Sequence, residues 1–258
     1  MTAGNITRVA VLTGAARGIG AAALNALLRE GYHIAAIDQD GECLKAVLSQ
    51  YPSDRVLLLA ADAADRSAIR ECIAKTADHF GRIDVAVFNA GVAGPSAPIA
   101  SYPIEQFDRV LQVNVYGPWH GIQAVVPYMK SGGGSIVMTS SINGIRGFAT
   151  FAGYAASKQA VMGMTRTAAI DLARHGIRVN SVHPGLTDTR MMNDVENTVA
   201  PGNPADARNA FAAFVPLARY GTPAEVANVI AFLASNKASY VTGAAYIVDG
   251  GFTAGVPA

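Results

Sequence analysis

TGAARGIG, residues 13–20, follows the apolar run RVAVL and opens a run rich in alanine and leucine. The dinucleotide-binding fingerprint spaces its glycines G-x-G-x-x-G. Here Gly14, Gly18 and Gly20 give G-x-x-x-G-x-G. A phosphate-binding turn must leave a strand sharply, bring backbone close to the anion and feed a helix whose free N–H groups point at it. Gly14 can serve the turn, while Gly18 and Gly20 remove side chains where backbone meets ligand or helix meets sheet. Taken alone, the stretch also reads as an ordinary glycine-rich turn.

Outward from this loop, short apolar runs rich in β-branched residues alternate with helical patterns. Strands are predicted at 8–13, 33–38, 55–62, 83–91, 134–141, 177–185 and 243–251. Helices are predicted at 18–30, 41–50, 66–80, 104–129 and 153–175, with another starting at Thr222-Pro223. Such alternation implies parallel strands with right-handed crossovers. Runs such as VLLLA and VAVF have no polar face, which suits strands covered by helices on both sides. The expected fold is therefore α/β, a doubly wound seven-stranded parallel sheet in one domain spanning 1–258. Residues 186–221 break the rhythm and are too long for an ordinary connection, so they read as a substrate-binding lid.

Composition narrows the function classes. At 15% charged residues and a formal net charge of +1, the chain has no basic stripe for nucleic acid. No apolar run approaches a membrane span, and MTAGNITRVA lacks the regions of a signal peptide. Cys43 and Cys72 form no C-x-x-C pattern and read as free thiols. The five histidines show no ligand-like spacing, so no metal is expected. A cytoplasmic enzyme acting on a small molecule fits these bounds.

The chemistry-bearing residues cluster in sequence order around the predicted strand ends. Asp38 closes the second strand, where a carboxylate can accept hydrogen bonds from an adenosine ribose diol and repel a 2′-phosphate. Tyr154 and Lys158, in YAASK, share one helix face. A neighbouring cation favours phenolate and lowers a Tyr pKa from its reference near 10. Composition makes Y-x-x-x-K cheap, so its weight comes from its place after the fifth strand. Ser141 ends that strand and reads as a donor to a substrate oxygen or as a turn serine. Asn114 sits mid-helix, where Asn is a poor former, and reads as functional or as locally satisfied.

These residues together resemble the short-chain dehydrogenase/reductase family, from about residue 7 to 253. TGAARGIG is similar to its cofactor loop. FNAG at 88–91 is similar to its N-N-A-G motif, with Phe88 in place of the first Asn. The resemblance implies a Rossmann-type fold and NAD(P)-dependent interconversion of a secondary alcohol and a ketone. It implies a catalytic tetrad of Asn114, Ser141, Tyr154 and Lys158: Tyr154 as acid or base, Lys158 holding the ribose and depressing the Tyr pKa, Ser141 orienting the substrate oxygen, Asn114 holding a relay water. It implies cofactor contacts from Gly14, Arg17, Gly18, Ile19, Gly20, Asp38, Asp62, Asn89, Ala90, Gly91, Tyr154, Lys158, Pro184, Gly185, Thr187 and Thr189. It also implies a homotetramer.

Asp38 followed by Gln39-Asp40 predicts NAD over NADP, although Arg17 points the other way. The pocket is expected from Asn143, Phe151, Met191 and Met192. Arg146 and Arg190 read either as anchors for an acidic substrate or as surface residues. His183, before Pro184-Gly185, reads as structural because Tyr154 already supplies the acid–base group. The competing functions are an NADPH-dependent 3-oxoacyl-thioester reductase and a nucleotide-binding regulator without turnover, against which an intact tetrad argues.

Overall fold

The computed structural model describes residues 7–255. Seven parallel strands form one sheet in the order β3-β2-β1-β4-β5-β6-β7. They are β1 Val9–Thr13, β2 His33–Asp38, β3 Val56–Ala60, β4 Val85–Phe88, β5 Gly134–Thr139, β6 Ile177–Pro184 and β7 Ala245–Val248. The expected doubly wound sheet is what forms. Most strands are shorter than their apolar runs, because the run continues past the last ladder bond into a loop. The run 83–91, for example, yields only Val85–Phe88.

Helices α1 Gly18–Arg29 and α9 Pro223–Ala234 cover one face of the sheet. Helices α3 Arg66–Phe80, α5 Gly117–Met129 and α6 Ala152–Ala173 cover the other. Successive strand residues point to opposite faces, so β1 feeds both cores. Ala10 and Leu12 pack with Leu24 and Leu27 of α1 and Ile230 and Leu233 of α9. Val11 packs with Ile69 and Ile73 of α3 and with Val125 and Met129 of α5. Helix starts follow local chemistry. Asp65 accepts from Ser67 and Ala68 N–H at the start of α3, and Thr222 and Glu225 form a capping box at α9. The short α2, Gly41–Leu48, starts on Asp40, whose side chain accepts from Cys43 N–H.

The strand order reverses beside β1, since β2 lies on one side and β4 on the other. Ligands of open α/β sheets bind at such a reversal, outside the carboxyl ends of the strands. Thr13 and Phe88 end β1 and β4 side by side there.

The helix expected over 104–129 is interrupted. It forms α4 Ile104–Leu111, a π-helical turn Gln112–Tyr116, and then α5. Gly117 N–H bonds back to Gln112 O, five residues away. The reason is in the sequence: the α-helical partner of the Asn114 carbonyl would be the N–H of residue 118, and Pro118 has none. Such π turns gather at functional sites.

Residues 186–221 contain α7 Arg190–Val199 and α8 Pro204–Ala213. Their two ends are pinned together. Asp188 N–H donates to Gly221 O and Gly221 N–H to Leu186 O, both at 2.9 Å. The segment is thus an excursion closed at its neck. No helix of the described residues is long and apolar enough to cross a membrane.

Candidate active site

The loop after β1 is locked by contacts that leave no room for side chains. Gly14 has φ +67°, and a methyl group there would lie 2.8 Å from the Ala90 Cα. A methyl group on Gly20 would lie 1.8 Å from the Gly14 carbonyl oxygen. That same carbonyl accepts from Asn89 Nδ2 at 3.1 Å. The Thr139 hydroxyl donates to Asn89 Oδ1 at 3.1 Å. Thr13 Oγ1 accepts from Asn89 N–H at 3.1 Å and Ala90 N–H at 3.2 Å. Asn89 therefore ties the ends of β1, β4 and β5 together beside the loop expected to hold the cofactor.

The N-terminus of α1 is open. Its N-cap, Arg17, is extended and makes no side-chain cap bond. The first-turn N–H groups lack intrahelical partners, and this donor set fits a diphosphate. Ile19 packs its side chain into the core behind them. Gly18 faces the start of the 186–221 excursion, with a methyl group there 3.2 Å from Thr189 Cγ2. Thr189 caps α7 through Met192 N–H, and Thr187 is buried, its hydroxyl donating to Gly185 O at 3.1 Å. Gly185 itself follows the buried Pro184 and donates to Val248 O.

At the far end of the cleft, Asp38 Oδ2 accepts from Ala16 N–H at 2.9 Å and Oδ1 from Asp40 N–H at 3.1 Å. Its carboxylate is thus fixed against the cofactor loop. Arg17 is ion-paired with Asp40. Asp62 accepts from Ala64 N–H and pairs with Arg109 at 2.9 Å.

The four residues expected to act together come together. A methyl group on Gly91 would sit 3.3 Å from both Asn114 Oδ1 and Lys158 Nζ. Lys158 Nζ lies 5.5 Å from the centre of the Tyr154 ring and donates to Thr139 O at 2.9 Å. Ser141 is within hydrogen-bonding reach of the Tyr154 hydroxyl. Asn114, Ser141 and Lys158 are buried and Tyr154 is half-buried. The Asn114 side chain is fully engaged, accepting from Val92 N–H and donating to Val92 O and Ser157 Oγ. Its backbone carbonyl is the one whose α-helical partner position is Pro118.

The pocket candidates lie on separate pieces of the rim. Asn143 is in the short turn Ile142–Gly144 after Ser141. Phe151 bridges to Ala97 just before α6. Met191 and Met192 are half-buried on the first turn of α7.

Known proteins match this arrangement. A family model described as enoyl-(acyl carrier protein) reductase matches residues 14–253. Levodione reductase from Leifsonia aquatica is 37% identical over 96% of this chain and 94% of its own. Cis-4-hydroxycyclohexanecarboxylate dehydrogenase from Sinomonas cyclohexanicum is 40% identical over 96% and 97%. A 3-oxoacyl-[acyl-carrier-protein] reductase from Thermotoga maritima is 40% identical over 95% and 97%. The crystal structure of levodione reductase superposes with a TM-score of 0.93 at 37% identity, covering 97% of this chain and 99% of that one. The chain belongs to the short-chain dehydrogenase/reductase family. It is an NAD(P)-linked oxidoreductase acting on CH–OH groups.

Within this short-chain dehydrogenase/reductase fold, the half-buried Tyr154 and the buried Lys158 sit side by side. Burial pushes the Tyr154 phenol above its ordinary value, and the hydrogen bond with Ser141 pulls it back. Burial likewise brings the pKa of the Lys158 ammonium down, to about 8. Sequence reasoning also missed Thr13, Thr139, Ser140 and Ser157. Ser140 Oγ donates to Lys158 O at 2.8 Å and Ser157 Oγ to Tyr154 O at 2.7 Å, so both hold the helix turn that carries Tyr154 and Lys158. The hydroxyl run TSS at 139–141 was the available signal.

Proposed function

We propose that the chain interconverts a secondary alcohol and a ketone with NAD as its preferred cofactor. The observation that carries the reading is the juxtaposition of Lys158 Nζ, the Tyr154 ring and the Ser141 hydroxyl at the carboxyl end of β5. When bound, the nicotinamide accepts or supplies the hydride. Tyr154 gives a proton to the forming alkoxide in reduction and takes it in oxidation. Ser141 holds the substrate oxygen, Lys158 holds the ribose, and the carbonyl of Asn114 holds a water behind Lys158.

The glycine loop and the open α1 terminus receive the diphosphate, Asp62 meets the adenine, and Ala90, Gly91, Pro184, Gly185, Thr187 and Thr189 border the remainder of the cofactor. Two observations favour NAD: the Asp38 carboxylate is fixed at the ribose end, and Arg17 is committed to Asp40. Residues 186–221 form the substrate lid, and Asn143, Phe151, Met191 and Met192 line the pocket. We read the chain as a cytoplasmic homotetramer. Ile104, Tyr116, Trp119, Tyr128 and Ile170 expose apolar surface on α4–α6, and burying such a patch favours association.

The relative that acts on 3-oxoacyl thioesters keeps an NADPH-dependent reductase as the second reading. One experiment separates them. A screen of cyclic alcohols, hydroxy acids and 3-oxoacyl thioesters, followed by absorbance of the reduced nicotinamide with each cofactor, should give higher kcat/KM with NAD and an alcohol. A preference for NADPH and thioesters would establish the second reading instead.

A further inference from the structure

We propose that His183 is a positioning residue that holds Ser141 in place through the Ser141 backbone carbonyl. This rests on the reading of Ser141 as the group that orients the substrate oxygen. His183 is fully buried on β6, the strand beside β5. Its Nδ1 lies 2.9 Å from Ser141 O. A carbonyl only accepts, so Nδ1 carries the proton. Nε2 is then an acceptor and takes the hydroxyl proton of Ser181 at 2.8 Å. Ser181 and His183 are two apart on one strand and share a face, so β6 presents both to one another and to the end of β5.

The place of Ser141 explains why such a hold is needed. The β5–β6 ladder runs to Thr139 and Val182, and Ser140 N–H still donates to Val182 O. Ser141 is the first residue beyond, with extended backbone. Its carbonyl takes two donors, the Gly144 N–H at 2.8 Å and His183 Nδ1, and its hydroxyl oxygen accepts from Asn143 N–H. Gly144 belongs to the same short turn as Ser141. His183 alone of these donors ties Ser141 to the neighbouring strand, one residue before Pro184-Gly185. Burial, joined by Lys158 and Arg166 on α6, lowers the imidazole pKa against the raising influence of the Ser141 carbonyl, a direction that suits the neutral ring the Ser181 bond calls for.

The test is a double-mutant cycle on the fastest alcohol from the screen. His183→Leu should lower kcat roughly 10- to 100-fold, the scale of a small misplacement, with the KM for NAD unchanged. His183→Asn, whose amide places a donor where Nδ1 was, should recover most of the loss. In a Ser141→Ala background, His183→Leu should change kcat less than about twofold. A full loss in that background, or no rescue by Asn, makes His183 a packing residue only and overturns the proposal. If Ser141→Ala itself leaves kcat intact, the reading of Ser141 fails and the proposal with it. Should His183→Leu not fold, Ser181→Ala, which frees the ring to take its other tautomer, replaces it in both backgrounds. Independently of activity, the ¹⁵N spectrum of the wild-type protein at pH 7 should show His183 neutral and protonated on Nδ1. A proton on Nε2 would contradict the assignment.

Discussion

Lys158 Nζ donates to the carbonyl of Thr139 at 2.9 Å, the one hydrogen bond of that ammonium among the described residues. A buried ammonium with one carbonyl partner is costly to fold around. The same carbonyl fixes its head beside the Tyr154 ring, 5.5 Å from the centre. Stability and reactivity are therefore opposed at this residue.

Lys158→Met should abolish turnover and raise stability. Burial brings the folded-state pKa of Lys158 to about 8, from 10.5 for an exposed lysine. Below the folded value the native protein carries the full penalty, about 3 kcal/mol. Between the two values the unfolded chain binds the extra proton, so wild-type stability rises with pH across that window. The variant should melt higher than wild type at pH 7, and the difference should shrink as pH rises toward 10.5. Thermal denaturation at both ends of the window checks this. A wild-type Tm at pH 7 would count against a buried charged lysine.

Ser141→Ala removes the hydrogen bond that lowers the Tyr154 pKa. The phenolate should then form at higher pH. The rising limb of kcat/KM for alcohol oxidation should move to higher pH, and kcat should fall roughly 10²-fold at neutral pH. An unshifted limb would mean that Ser141 does not touch the phenol.

Asp38→Ala should reduce kcat/KM with NAD by about 10- to 100-fold, the worth of hydrogen bonds to a charged acceptor. Activity with NADP should hold or rise. Steady-state rates with the two cofactors decide it, and an equal loss with both would place Asp38 in the support of the loop alone.

Gly20→Ala forces a methyl group to within 1.8 Å of the Gly14 carbonyl oxygen. The loop must open, at a cost of about 3 kcal/mol or more, and NAD affinity should collapse. Denaturant unfolding and NAD titration measure both, and unchanged values would show that the loop is not closed as described.

Much of this was legible before the fold was known. Strand–helix alternation placed every strand, because runs such as VAVF have to be covered on both faces. Tyr154 and Lys158 were legible as a pair because helical spacing puts them on one face. The break at Gln112–Tyr116 was not read, although Pro118 marked it: the effect falls four residues before the proline. The bonds by which Asn89 joins three strands could not be read. Its partners Gly14 and Thr139 lie 75 and 50 residues away and meet it only once β1, β4 and β5 are in register. The same holds for His183 and Ser141, 42 residues apart. Periodicity reports faces, not which neighbours a strand will take.

The central claim is that the Tyr154 hydroxyl moves the proton. Tyr154→Phe removes that one oxygen and leaves the ring, the Lys158–Thr139 bond and the cofactor loop in place. Turnover should fall by about 10²- to 10⁴-fold, while NAD binding measured by titration stays within about twofold of wild type. Turnover close to the wild-type rate in that variant would contradict the account.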